Sequence, residues 1–190
     1  MSIDLPRRGG LPRRATSIRL AGDPAHGLVF AGFVLAEAAL LERRAIAHAP
    51  TLGVAARGPL SGGALRIAGD AREFPLVEEP DCLLLTSGPA MIRFAGSLAP
   101  GGTLLVDESL AAGAPNTAIA LPLVRTAIES GGTALVVDVV SAAVVTAITG
   151  AVSRRALNDA VARLLPERGR LAGLAALDAG MELGRSRIVA

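Results

Sequence analysis

Two apolar patterns alternate along the first two-thirds of this chain. Short apolar runs, each closed by Gly, Pro, Ser or Asp, predict buried strands at 17–22, 45–49, 64–68, 81–87, 103–106 and 117–121. The run at 81–87 is the cleanest, a continuous apolar segment of the kind a parallel strand buried on both faces requires. Between the strands lie longer segments that predict helices, over 28–44, 89–98 and a short stretch from Pro122 to Ser130. The first of these is apolar on nearly every side except Glu37, Glu42, Arg43 and Arg44, which predicts a central helix. Beyond residue 130 the alternation stops. The segments 133–149, 154–165 and 171–183 predict helices in series, punctuated by Gly150, a capping Ser153 and Pro166. The segment 133–149 is rich in Val, but its length without a turn signal favours helix over strand. Strand–helix alternation followed by a helical C-terminal third predicts an α/β class, a Rossmann-like three-layer domain with a mainly parallel sheet.

Two stretches stand outside this scheme. Residues 1–16 are rich in Arg, Pro and Gly without periodicity and predict a flexible or partner-wrapping arm, leaving 17–190 as one α/β domain. The stretch from Pro50 to Gly63 contains Gly53, Gly58, Pro59, Gly62 and Gly63, a density that predicts a loop without regular structure.

Composition narrows the chemistry. Hydrophobic residues make up 51% of 190, yet aromatic residues only 2%, with no Trp or Tyr, so the core is built from aliphatic side chains. The four Phe (Phe30, Phe33, Phe74, Phe94) lie in apolar contexts, which leaves little for stacking on nucleic-acid bases. The net charge of +2 is concentrated at the start, where Arg7, Arg8, Arg13, Arg14 and Arg19 face only Asp4; the remainder is net negative, unlike the folded surface of a nucleic-acid binder. Cys82 is the single cysteine and lies in an apolar run, so this chain alone holds no Cys-rich zinc site or Fe–S cluster and Cys82 reads as a core thiol. The run 134–152 is nearly long enough for a membrane span, but Asp138 within it favours a buried helix. No signal peptide is evident, and a cytoplasmic location is expected.

Candidate chemistry gathers at the first strand–turn–helix unit. The turn Gly22-Asp23-Pro24-Ala25-His26-Gly27 directs backbone N–H groups and the positive end of a helix to one place, which suits an anion, and His26 adds a proton donor. The dinucleotide fingerprint Gly-x-Gly-x-x-Gly is broken at Pro24, and no acid follows at the spacing of a ribose ligand. A tight connection with nothing bound is the plain alternative. In a second loop, Arg57 lies between Gly53 and Gly58; its guanidinium suits a carboxylate or phosphate and serves equally well in a structural salt bridge. His26 and His48 are the only histidines, Ser61 and Ser87 lack a nucleophile-elbow context, and Glu78 and Glu79 read as a solvated loop. No self-contained catalytic set is evident.

In order and spacing, several segments resemble the gamma subunit of the 2-oxoacid:acceptor (ferredoxin) oxidoreductases, whose members act on pyruvate, 2-oxoglutarate, indolepyruvate and related aryl-oxoacids. The segments are Ile18 to Gly22 with Gly27 and the following helix, Gly53 through Arg57-Gly58, Phe74 to Asp81, Leu98 to Gly102, Leu105 to Asp107, and Leu177 to Gly180. The resemblance covers about residues 17–184. It implies a three-layer subunit of a heteromeric complex with alpha and beta subunits, an Fe–S delta-type subunit or domain, and ferredoxin or another acceptor. Thiamine diphosphate with Mg would lie between partner subunits, Fe–S clusters would carry electrons, and coenzyme A would take the acyl group. The chain itself would hold none of these alone and would support and help close the site, with Gly22, His26, Gly27, Arg57 and Gly58 contacting an anion, coenzyme A or a partner. Nucleic acid and membrane are not expected partners. Two other readings are a stand-alone Rossmann-like nucleotide-binding protein and a purely structural assembly subunit. The chain departs from the family's Gly-x-Gly-Gly-Gln-Gly turn, keeping only Gly22 and Gly27, and has Asp138 where an Asn is common.

Overall fold

The computed structural model describes residues 15–51, 60–68, 77–133 and 136–187. Most of the expected arm (1–14), the loop holding Arg57 and Gly58 (52–59) and the segment holding Phe74 (69–76) lie outside them.

Six strands form one mixed, mostly parallel sheet in the order β2-β3-β1-β4-β5-β6. They are β1 (Thr16–Gly22), β2 (Ala45–Thr51), β3 (Ser61–Ala68), β4 (Cys82–Leu85), β5 (Thr103–Asp107) and β6 (Ile119–Leu121). The pairs β1–β4, β4–β5 and β5–β6 are parallel, whereas β3 runs antiparallel to both β1 and β2. The stretch between Thr51 and Ser61 is too short for the crossover of a dozen or more residues that a parallel neighbour needs, so β3 must reverse against β2. The expectation of an irregular stretch through Gly63 is thereby corrected: β2 runs on to Thr51 and β3 starts at Ser61, taking Gly62 and Gly63 into the sheet. Gly63 lies close against the His48 ring, and Gly62 against the backbone of β1, so a lack of side chains is what lets these strands meet.

The helices are α1 (Leu28–Leu41), α2 (Gly88–Phe94), α3 (Leu123–Gly131), α4 (Val137–Thr149), α5 (Arg154–Leu164) and α6 (Glu167–Arg185). Side chains alternate across the strands with period two. Ile18, Leu20, Leu65, Ile67, Cys82, Leu84 and Leu105 face a large aliphatic core shared with α1, α3, α4, α5 and α6. Ala21, Leu83, Leu85, Leu104 and Val106 face a smaller core under α2. Helix α4 is the hub of the helical side: every residue from Val137 to Thr146 is buried. It packs against α1, α3, α5, α6 and β4, which accounts for its apolarity. At Gly180 of α6 a Cβ would lie 2.7 Å from the Val140 carbonyl oxygen, so this glycine lets α6 seat directly on the α4 backbone.

Helix ends follow local chemistry, with two corrections. Ser87 caps α2 and Ser153 caps α5 through their side-chain oxygens, and left-handed Gly150 ends α4. Helix α1 stops at Leu41 and does not reach Arg44. Glu42 turns its carboxylate to the Ser153 N–H at 2.9 Å, Arg43 takes φ 57°, and the Arg44 guanidinium donates to the carbonyls of Ala151 and Ile67. Helix α6 starts at Glu167, four residues before its apolar spacing is visible, with Pro166 as its cap. The segment Pro24–Leu41 is long and apolar enough to cross a membrane by length and composition. Left-handed Gly27 divides it, and the 14 residues of α1 rise only about 21 Å against a hydrocarbon core of about 30 Å. Leu28, Val34 and Leu35 of this helix are fully buried in the aliphatic core.

Candidate functional site

Open α/β sheets bind ligands outside the carboxyl ends of their strands, where the strand order changes direction. Here that place lies between β1 and β4: the chain leaves β1 for β2 and β3 on one side, then crosses to β4 on the other. The carboxyl end of β1 is Gly22, followed by the turn that the sequence singled out, and the carboxyl end of β4 leads to Thr86 and Ser87.

The turn is well ordered by its own residues. Asp23 accepts from the Ala25 N–H through its side chain at 2.8 Å and from the His26 N–H through its carbonyl at 3.0 Å. Pro24 supplies the fixed φ of the first position of a single 3₁₀ turn. Gly27 ends that turn and starts α1 with φ 61°, a left-handed conformation suited to glycine. Its carbonyl accepts from Phe30 N–H at 2.7 Å.

The crevice between the two strand ends is occupied by protein. His26 Nδ1 and Thr86 Oγ1 share a hydrogen bond of 2.8 Å across it. A Cβ at Gly22 would lie 1.8 Å from the same Thr86 Oγ1, so the hydroxyl fills the space beside the glycine. On the other side of the turn, Gly27 approaches the Asp138 carboxylate, to which a Cβ would come within 3.0 Å. Asp138 lies in the first turn of α4, 9% exposed, and Oδ1 accepts from the Val139 N–H at 2.6 Å. Burial pushes its pKa up to about 7, against the two backbone hydrogen bonds that favour the charged form. His26→Ala is expected to remove the crevice bond and lower stability by about 1 kcal/mol, read from a urea midpoint with an unchanged slope.

Gly22, His26 and Gly27 are thus brought together at the switch point, while Arg57 and Gly58 lie outside the described residues. The strand ends that lead into and out of their loop do reach this edge, since Ser61 pairs with Gly22 and Thr51 with Gly62. An open groove of about 480 Å³ adjoins the turn, lined by His26, Asp107, Glu108, Val124, Arg125 and Ile128. Its Asp107 is used structurally, accepting from Ser109 N–H and Oγ–H and from Val124 N–H at the start of α3. Arg125 and Glu108 pair with each other at 2.9 Å.

Sequence reasoning missed Thr86, which only the parallel pairing of β1 with β4 places beside Gly22. Elsewhere it held: Cys82 is fully buried with its thiol pushed up to about 12 by burial and by Asp81, an inert core thiol, and Glu78 and Glu79 are exposed. His48 is half-buried, its pKa lowered by burial, with its ring edge-on to Phe33 at 5.0 Å and close to Gly32. The apolar setting expected for Phe94 needs correction, because two arginine side chains lie over its ring.

Comparison with known proteins bears on the family and the fold. The family "Pyruvate ferredoxin/flavodoxin oxidoreductase" matches residues 17–183. The 2-oxoglutarate synthase subunit KorC of Methanothermobacter marburgensis is 31% identical over 176 residues, covering 87% of this chain and 95% of that subunit. The crystal structure of a keto/oxoacid ferredoxin oxidoreductase gamma subunit from Geobacter sulfurreducens superposes with a TM-score of 0.79 at 28% identity, over 90% of this chain and 99% of that one. A 2-oxoglutarate:ferredoxin oxidoreductase from Magnetococcus marinus, solved with 2-oxoglutarate, coenzyme A and succinyl-CoA bound, shares the fold with a TM-score of 0.78 at 17% identity, covering 92% of this chain and 32% of that one. The chain belongs to the pyruvate ferredoxin/flavodoxin oxidoreductase family, in which it is a gamma subunit of the 2-oxoacid:ferredoxin type.

Proposed function

We propose that this chain works in the cytoplasm within a heteromeric 2-oxoacid:acceptor oxidoreductase, which oxidatively decarboxylates a 2-oxoacid to an acyl-CoA and passes the electrons to ferredoxin or another acceptor. In this reading it supports and helps close an active site built by alpha and beta subunits. The observation that carries the reading is similarity along nearly the whole length of KorC, a subunit that exists as a chain of its own.

The donor chemistry of this chain points to cofactors held by partners. Among the described residues no three His, Cys, Asp or Glu side chains cluster as metal ligands, and the one cysteine is sealed in the core. These residues do not fit an Fe–S cluster or the Mg of thiamine diphosphate, so both belong to partner subunits in this reading. Coenzyme A is the remaining ligand for this chain in this reading, with Gly22, His26, Gly27, Arg57 and Gly58 as its contacts. The His26–Thr86 bond across the switch-point crevice favours this subunit role over that of a stand-alone nucleotide-binding protein.

Two measurements test the proposal. Thiamine- and Fe–S-containing subunits should co-purify with the full chain. Within that complex, Arg57→Ala should leave assembly intact and lower turnover or coenzyme A affinity roughly tenfold, the size of one charge-assisted contact. Unchanged kinetics would remove Arg57 from the site. Tight calorimetric binding of NAD(P) or ATP by the purified chain would replace the subunit reading with the nucleotide-binding one.

A further inference from the structure

On the face of the sheet under α2, away from the helical core, two cations share one aromatic ring. Arg19 projects from the middle of β1, and its guanidinium carbon lies 4.8 Å from the centroid of Phe94. Arg93, the preceding residue on α2, lies 5.3 Å from the same centroid. The negative face of the ring holds both, and Arg19 also donates to the Val77 carbonyl. Among the described residues no carboxylate pairs with either arginine. Arg19 Nε is buried without a hydrogen-bond partner. Burial, and after it the neighbouring Arg93, lower the Arg19 pKa.

These side chains border a cavity of about 120 Å³ whose remaining wall includes Leu60, Thr51 and Gly62. Ligand pockets for nucleotides and drug-sized molecules run to roughly 300–1,000 Å³, so the space suits the end of one side chain. A planar guanidinium pair suits a carboxylate in particular, because each fork can donate two N–H bonds to the two carboxylate oxygens. Ile92, which precedes Arg93 on α2, is 90% exposed, a large apolar side chain left uncovered among the described residues. An exposed aliphatic side chain beside one half-buried and one exposed arginine offers the aliphatic and guanidinium groups that are enriched at binding hot spots on protein surfaces.

Resting on the subunit reading above, we propose that Arg19, Arg93 and Phe94 form a socket for an Asp or Glu side chain of a partner subunit, with Ile92 packing against an apolar residue of the same partner segment. Charge complementarity commits the occupant to an acidic segment. The socket lies on the opposite side of the sheet from the α4 hub, with Thr51 and Leu60 in its wall.

The test uses the full chain assembled with its co-purified partner subunits. Arg93→Glu reverses an exposed charge and should leave the melting temperature of the isolated chain within about 2 °C, while weakening assembly at least about 30-fold at low salt. Ile92→Ser should weaken assembly as well, without changing its salt dependence. Assembly of Arg93→Glu within threefold of the parent would overturn the socket and leave the subunit reading standing. Stabilisation of the isolated parent, but not of Arg93→Glu, by inorganic phosphate or coenzyme A would also overturn it, in favour of a small-anion site. Failure of the parent chain to assemble with thiamine- and Fe–S-containing subunits would overturn both readings.

Discussion

Asp138→Asn is expected to stabilise the protein at pH 8 and to leave it nearly unchanged at pH 4. The carboxyl group is 9% exposed and lies against Gly27 at the start of α1, where burial raises its pKa from 3.8 to about 7. In the unfolded chain it would lose its proton near pH 4; in the folded chain it keeps it to about pH 7. Between those values the native state binds more protons than the unfolded state, so stability falls as pH rises through the window and levels off above it. Three pKa units correspond to about 4 kcal/mol as an upper bound, and the favourable position of a negative charge in the first turn of α4 reduces this to roughly 2–4 kcal/mol. Asn keeps the shape and does not titrate. Urea denaturation of both proteins at pH 4, 6 and 8 checks the prediction. Burial lowers the His48 pKa, so its contribution has the opposite sign, but both proteins carry it and it cancels in the difference. Parallel pH profiles for parent and variant would show that Asp138 is not the titrating group.

Gly62→Ala is expected to abolish stable folding. Gly62 has φ 155°, and a Cβ there would lie 1.9 Å from the Leu20 carbonyl oxygen, 2.7 Å from its carbon and 3.0 Å from Ala21 Cα. All three atoms are backbone of β1, the strand on which both halves of the sheet are hung, so no side-chain rotation relieves the contact. Relief requires parting β1 from β3 at the pairs Ala21–Gly62 and Gly22–Ser61, beside the candidate site. A loss of at least about 4 kcal/mol follows, most or all of the margin of a typical domain. Gly88→Ala is the control: a Cβ there meets nothing within 4 Å, and its stability should stay within about 0.5 kcal/mol of the parent. Soluble yield and the urea midpoint distinguish the two variants, and a folded Gly62→Ala protein would show that the strands can part without loss.

The two variants also mark where sequence reading works and where it stops. The strand at 81–87, the glycine turn into 103–106, the Ser153 cap and the stop at Gly150 are local chemistry, and each lies within a few residues of its expected place. Helix α1 was overrun because nothing local distinguishes Glu42, Arg43 and Arg44 from another helical turn; their partners, Ser153, Ala151 and Ile67, are distant in sequence. Gly62 and Gly63 resembled loop residues for the same reason, since the close approach of β1 and His48 that requires them is tertiary. At the site, the strand–turn–helix around Gly22 to Gly27 was legible, but Thr86 and Asp138, which fill and flank it, were not. For the arginine socket a signal existed: Arg19 lies in an apolar strand between Ile18 and Leu20, where a charge on a covered face calls for a partner.

The order and type of the elements, the aliphatic core and the lack of a cysteine ligand set are legible along the chain, because period, turn residues and composition are properties of neighbours in sequence. Long-range packing alone makes β3 reverse within an otherwise parallel sheet, brings Thr86 into the crevice beside the Gly22 turn, takes Asp138 out of solvent, and brings Arg19 and Arg93 together on Phe94. Those outcomes depend on which strands lie side by side. Strand order is set by the packing of whole faces against α1, α4 and α2, and no window of neighbouring residues contains it.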